Sequence, residues 1–185
     1  MSAIDDMFGI LESYEHLGKK VLSNGTKLIG HVPHVAPEAW FHLIFAPLSE
    51  CDVSRVQEEL EAVAIPKQYL NLLQRCNGLS VFSDHMNIFG LRYNYARTGD
   101  DVWQPYSIRT PNIDERPSWA RQSLFIIGGY SSDGARVYLE TSKGRVYKCK
   151  RTSSKPLQEW ASIEEMLLQE AKRLSLLFDS EGRKR

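Results

Sequence analysis

The segment from Leu124 to Lys150 constrains the fold most. Three short strand-forming runs, Leu124 to Tyr130, Arg136 to Glu140 and Arg145 to Lys150, are separated by Ser131-Ser132-Asp133-Gly134 and Ser142-Lys143-Gly144. Turns of this composition reverse the chain within a few residues, because glycine and aspartate tolerate the backbone angles involved. Parallel strands would need crossovers of a dozen residues or more. The three runs therefore predict an antiparallel meander. Asn24-Gly25, between Val21-Leu22 and Leu28-Ile29, predicts a further hairpin in which both turn residues can take φ > 0.

Helical periodicity surrounds these runs. Ile4, Met7, Phe8, Leu11 and Tyr14 mark an amphipathic N-terminal helix. Pro33 and Pro37 keep the chain extended up to a strand at Trp40 to Phe45. Ser49 and Asp52 come close to a capping box, ahead of a helix with Val53, Val56, Leu60 and Val63 on one face. Its other face carries Glu50, Asp52, Glu58, Glu59 and Glu61. Pro66 opens another helix, buried through Tyr69, Leu70, Leu72, Leu73 and Cys76, and Asn77-Gly78 is read as its stop.

Beyond it, Val81-Phe82 and Asn87 to Leu91 read as short strands. Arg92 to Pro117 reads as loops around a strand fragment near Tyr106 to Ile108. Ser162 with Glu165 is a capping box, followed by Ile163, Met166, Leu167, Ala171, Leu174 and Phe178 at helical spacing. Glu181 to Arg185 is expected to fray. Helices segregated from a mostly antiparallel sheet define the α+β class.

Composition limits the function. At 185 residues the sequence is expected to form one domain, and 42% hydrophobic with 25% charged residues excludes a disordered or fibrous protein. Basic and acidic residues balance at 23 each, which argues against a dedicated nucleic-acid binder. The balance is uneven along the sequence. Residues 1–142 carry 12 basic and 17 acidic side chains (net −5), and residues 143–185 carry 11 and 6 (net +5). Three cysteines without a CxxC pair suggest neither a disulfide framework nor a zinc site, and fit a reducing compartment. Neither a signal peptide nor a membrane-length apolar run is present. The expected location is cytoplasmic.

Catalytic signatures are missing. His31, His34 and His42 are loosely spaced around Pro33 and Pro37 and read as loop histidines rather than metal ligands. Cys76 lies on an apolar helix face, the usual place of a core cysteine. Gly128-Gly129 and Asp133-Gly134 lack the GxGxxG or GxxxxGK[ST] spacing of a phosphate loop. No GxSxG or HExxH occurs. We therefore expect no catalytic residue, metal or cofactor. What remains is recognition. Tyr93, Tyr95 and Trp103 are residue types that dominate interface energetics, and Asp100 and Asp101 add charge beside them. The competing reading makes the aromatics caps on the sheet edge.

An ordered series of motifs resembles the SUKH superfamily. It comprises Ile65-Pro66-x-x-Tyr69-Leu70-x-Leu72-Leu73 with Asn77-Gly78, then Ile88-Phe89-Gly90-Leu91, Phe125-Ile126-Ile127-Gly128, Asp133-Gly134 with Val137-Tyr138-Leu139, Gly144-x-Val146-Tyr147, and Trp160-x-Ser162-Ile163-Glu164-Glu165-Met166-Leu167. The acidic helix from Leu48 to Leu60 matches the family's leading helix, so the resemblance spans about residues 43–170. It implies a curved central sheet with helices packed against it and closed by a C-terminal helix. Residues 1–39 depart from the family's pattern, so the expected organisation is an N-terminal helix with a hairpin extension (1–39) that has no counterpart in the family, a SUKH-like α+β domain (40–178) and a frayed basic tail (179–185). The resemblance also implies a non-enzymatic immunity protein that neutralises a cognate protein toxin, such as a nuclease, with no direct contact to nucleic acid or membrane. The alternative is a regulatory scaffold related to fungal cell-wall regulators.

Overall fold

Among the described residues, nine strands join in one sheet whose order follows the sequence, from first to last, with every neighbouring pair antiparallel. They are β1 (Lys19–Val21), β2 (Lys27–His31), β3 (Trp40–Ile44), β4 (Leu79–Val81), β5 (Met86–Ile88), β6 (Leu124–Tyr130), β7 (Arg136–Glu140), β8 (Arg145–Cys149) and β9 (Pro156–Trp160). The computed structural model describes residues 2–61 and 63–185. The predicted meander is β6 to β8, with Gly134 and Gly144 both at φ +67° in its two turns. Bulges between Ile126 and Gly128, and between Lys148 and Cys149, add the local twist that curves the sheet.

Four α-helices complete the architecture: α1 (Ala3–Glu12), α2 (Glu50–Glu59), α3 (Lys67–Leu73) and α4 (Ile163–Ser175). Ser2 with Asp5 and Ser49 with Asp52 form reciprocal capping boxes on α1 and α2. On α4, Ser162 caps the Glu165 N–H, while the Glu165 carboxylate reaches the Ala161 N–H instead of its cap. Helix α1 packs against α4, and α4 lies on β8 and β9. Glu170 of α4 is a charged residue at a core position. It is accommodated because the Tyr130 hydroxyl donates to it at 2.6 Å and Arg173 donates to both of its oxygens.

The structure departs from the sequence expectations at several points. The Asn24-Gly25 turn has positive φ at Gly25 (+82°) but not at Asn24, whose side chain accepts the Thr26 N–H instead. Helix α3 ends at Leu73, well before Asn77-Gly78. Gly78 does have φ +90°, but the reason is close packing: a Cβ there would lie 2.5 Å from the Ile88 carbonyl oxygen. Buried Asn77 both donates to the Leu91 carbonyl and accepts the Leu91 N–H, each at 2.7 Å. The pair is thus a clamp between the end of α3 and the segment after β5.

Strand β9 was not expected. Its residues from Pro156 to Glu159 are exposed, so edge position removed the alternation that identifies a half-buried strand. The Tyr106–Ile108 fragment reduces to one parallel bridge between Gly90 and Ser107, and Thr110–Asp114 forms a π-turn in place of loop. There Asn112 donates to the Ile126 carbonyl and accepts the Ile126 N–H, holding the β6 bulge.

Residues 1–39 supply α1 and the β1–β2 hairpin; the hairpin continues the same sheet and α1 packs on α4. At the other end Asp179 accepts the Glu181 and Arg183 N–H groups in an Asx-type turn, Phe178 bridges Lys184, and Gly182 packs on Val32 and Phe41.

Candidate functional site

The segment from Arg92 to Tyr106 stands out from the sheet as a ridge. It begins after β5 and carries a single 3-10 turn, Asp100–Val102. A segment this polar has few apolar contacts to hold it, so its shape comes from hydrogen bonds. Gln104 is the hub. Its carbonyl accepts the Tyr93 N–H at 2.8 Å, and its amide donates to Asn94 Oδ1 and to the Asp101 carbonyl, each at 2.7 Å. Arg92 donates to the Asn94 and Pro105 carbonyls while its guanidinium lies 4.7 Å from the Tyr95 ring centroid.

The β1–β2 hairpin anchors the ridge from the side. Asp100 Oδ2 accepts the Ser23 N–H at 2.8 Å, which holds the Asp100 carboxyl below its usual range. Asn24 donates to the Asp100 carbonyl at 3.0 Å and reaches the Trp103 carbonyl at 3.4 Å. The five predicted contact residues therefore separate by role. Asp100 is tied into the fold, and Trp103 is half-buried with its backbone engaged. Asp101 is exposed. Tyr95 is 75% exposed and Tyr93 42%.

Tyr93 joins the ridge to the acidic helix. The Arg55 guanidinium lies 5.0 Å from its ring centroid. Burial, and then the neighbouring Asp52 carboxylate, pushes its phenol up to about 12. A cleft of about 350 Å³ lies here, lined by Asp52, Asn77, Tyr93, Asp101 and Trp103 among others. The loop and the acidic face of α2 are thus adjoining parts of one surface. Not all of its acid is free, since Glu61 pairs with Arg109 at 3.1 Å. Sequence reasoning missed Gln104 and Asn94, which leave no pattern, and read Tyr106 as strand although it is 54% exposed on the ridge.

The other candidates do not assemble into a centre. His42 is fully buried in β3, while His34 is exposed and His31 contacts the Pro37 carbonyl. The expectation that all three are loop histidines fails for His31, the last residue of β2, and for His42. Burial among Tyr14, Phe41 and Phe82 holds it down at about 3, so it is neutral, and its Nδ1 accepts the Phe82 N–H. Cys76 is buried, and burial pushes its thiol up to about 12, which suits a core residue rather than a nucleophile. Among the described residues no group of three His, Cys, Asp or Glu side chains is placed to hold a metal ion. None of the described helices is long and apolar enough to cross a membrane.

A curved antiparallel sheet with helices packed on it, closed by a C-terminal helix, defines an α+β protein. The family model of the SMI1 / KNR4 family (SUKH-1) matches residues 47–169, and the chain belongs to that family. The match agrees with the motif series from Ile65 to Leu167. Among curated proteins, none matches the sequence significantly.

Proposed function

We propose that this protein is a cytoplasmic, non-enzymatic immunity protein that neutralises a cognate protein toxin by covering it, with the 92–106 ridge as the contact surface. One observation carries this reading. Tyr93, Tyr95, Val102 and Tyr106, all between 38% and 75% exposed, lie on one ridge held rigid by Gln104 and the β1–β2 hairpin. Rigid, exposed aromatics give contact area at low entropic cost. Family membership supports binding over catalysis. The acids beside the ridge, Asp101 and the outer face of α2, favour a partner with basic surface, as a nuclease must have. A stable complex needs about 800 Å² from each partner, so the ridge would be joined by its flanks.

The test is co-expression with the toxin encoded beside this gene, scored by growth and by binding to the purified toxin. Tyr95→Ala should speed dissociation, and Asp101→Lys should slow association most at low salt. Asp100 is unsuitable for this test because its carboxylate also holds the hairpin. Wild-type protection by folded Tyr95→Ala and Asp101→Lys variants would place the contact elsewhere. A gene without a toxin neighbour, together with a partner in cell-wall synthesis, would favour the regulatory scaffold.

A further inference from the structure

A second cleft, also about 350 Å³, has Tyr106 in its lining. Its floor follows from strand register. Asn87 of β5 pairs with Gly129 of β6, which pairs with Arg136 of β7. Paired residues share a face of a sheet, so these three form a row across it. Val137 and Leu139 are buried neighbours along β7. The walls come from Phe89, Tyr106, Pro111 and Pro117.

Two features of the cleft point to a ligand. Asn87 is 4% exposed, and its amide donates to the Asp84 carbonyl and to Ser131 Oγ, which fixes its orientation. Its Oδ1 is then left without a hydrogen-bond partner among the described residues. A buried acceptor of this kind is costly unless something donates to it. Arg136 and Arg151, both lining the cleft, make no ion pair among the described residues. Arg136 Nη1 lies 3.5 Å from where a Cβ on Gly129 would sit, so its side chain folds back over Gly129.

The backbone amides make no phosphate cradle. The Tyr130 N–H is spent on Ala135 and the Gly134 N–H on Tyr130. Recognition would fall to side chains: one acceptor that needs an N–H, and guanidinium groups that need an anion. Neighbouring strands lie about 4.8 Å apart, so a guanidinium folded back over Gly129 stands about 5 Å from the Asn87 row position. Both groups are therefore within hydrogen-bond reach of an amide N–H and a carboxylate carried by one residue. We propose that this cleft binds a peptide-like ligand whose carboxylate lies next to an amide N–H, either an aspartate within a segment or the free carboxy terminus of a peptide. The proposal does not rest on the toxin-binding reading: the cleft shares its wall residue Tyr106 with that contact surface, but neither Asn87 nor the arginines belong to it.

The experiment titrates full-length ¹⁵N-labelled protein with two acetylated tripeptides, Gly-Asp-Gly amide and Gly-Gly-Ala free acid. Gly-Asn-Gly amide and inorganic phosphate serve as controls. The Asn87 side-chain amide and the Gly129 N–H should shift with at least one carboxylate peptide at millimolar concentration. The tighter of the two identifies the source. The asparagine control should bind at least about tenfold more weakly, and the double variant Arg136→Gln/Arg151→Gln should lose about tenfold. Neither arginine side chain pairs with another element, so the variant should fold, and its own spectrum reports that it does. No shift with either peptide, equal response to phosphate alone, or unchanged binding in the folded double variant would overturn the proposal.

Discussion

Three glycines, each replaced by alanine, separate three physical reasons for the residue. Gly9 is exposed within α1, has ordinary φ, and a Cβ there would meet nothing within 4 Å. Gly9→Ala should stabilise the protein by about 1 kcal/mol, the helix-propensity difference. Gly99 has φ +71° with ψ −170°, a backbone region used almost only by glycine, and open space around it, so Gly99→Ala should cost about 1–2 kcal/mol for the backbone alone. Gly78 has φ +90°, and its Cβ would fall 2.5 Å from the Ile88 carbonyl oxygen and 3.1 Å from that of Phe89. Those are backbone atoms of β5 and the residue after it, so the strand itself must move. The overpacking adds about 1–3 kcal/mol, and Gly78→Ala should cost about 3 kcal/mol in all. Urea unfolding at fixed pH measures all three, read from midpoints at constant slope. If Gly78→Ala and Gly99→Ala cost the same, close packing at the clamp is wrong and φ alone explains Gly78.

His42 is held neutral in the fold at about 3 and must take up a proton on unfolding below its ordinary value of 6.5. Its folded value is depressed, so acid favours the unfolded state. Stability contributed by this residue is fully present above about pH 6.5 and is lost as the pH falls towards 3. Between pH 7 and pH 5 the loss should be about 2 kcal/mol, measured by urea unfolding, and His42→Gln should flatten it. A wild-type protein equally stable at the two values would refute the burial argument. Separately, Asn24→Ala removes the donor to the Asp100 and Trp103 carbonyls and should loosen the ridge. Limited proteolysis should then cut between Tyr93 and Trp103 faster than in wild type, with the urea midpoint little changed.

The central meander was legible because turn chemistry and alternation agree there, from Leu124 through Cys149. Helices α2 and α4 were legible because Ser49 with Asp52 and Ser162 with Glu165 announce their starts. What failed has a common cause, namely partners distant in sequence. The Asn77-Gly78 pair looked like a helix stop, but its geometry answers to Ile88 and Leu91. Strand β9 lacks alternation because its outer edge faces solvent. His42 looked like a loop histidine because nothing local reveals that Tyr14 and Phe82 close over it. For the site, residue types pointed to a ridge that the structure makes exposed and aromatic. The division of labour between Asp100, which anchors, and Asp101, which is exposed, depends on Ser23, which is 77 residues away from Asp100.

That last contact bears on where specificity would reside if the ridge is the contact surface. The family-matched segment, residues 47–169, contains the whole ridge. The groups that hold the ridge from the side, Ser23 and Asn24, lie outside it, in the hairpin that adds strands β1 and β2 to the sheet. A binding surface gains affinity when its geometry is set before the partner arrives, since ordering is then not charged to binding. The N-terminal hairpin supplies that ordering here. The closing turn at Asp179 in turn supports the end of β2, because Gly182 packs on Val32, directly after that strand, and on Phe41 of the neighbouring β3. Changes in residues 1–46 can therefore retune the ridge without touching a residue of it, and variation at Ser23 or Asn24 should alter partner choice before it alters the fold.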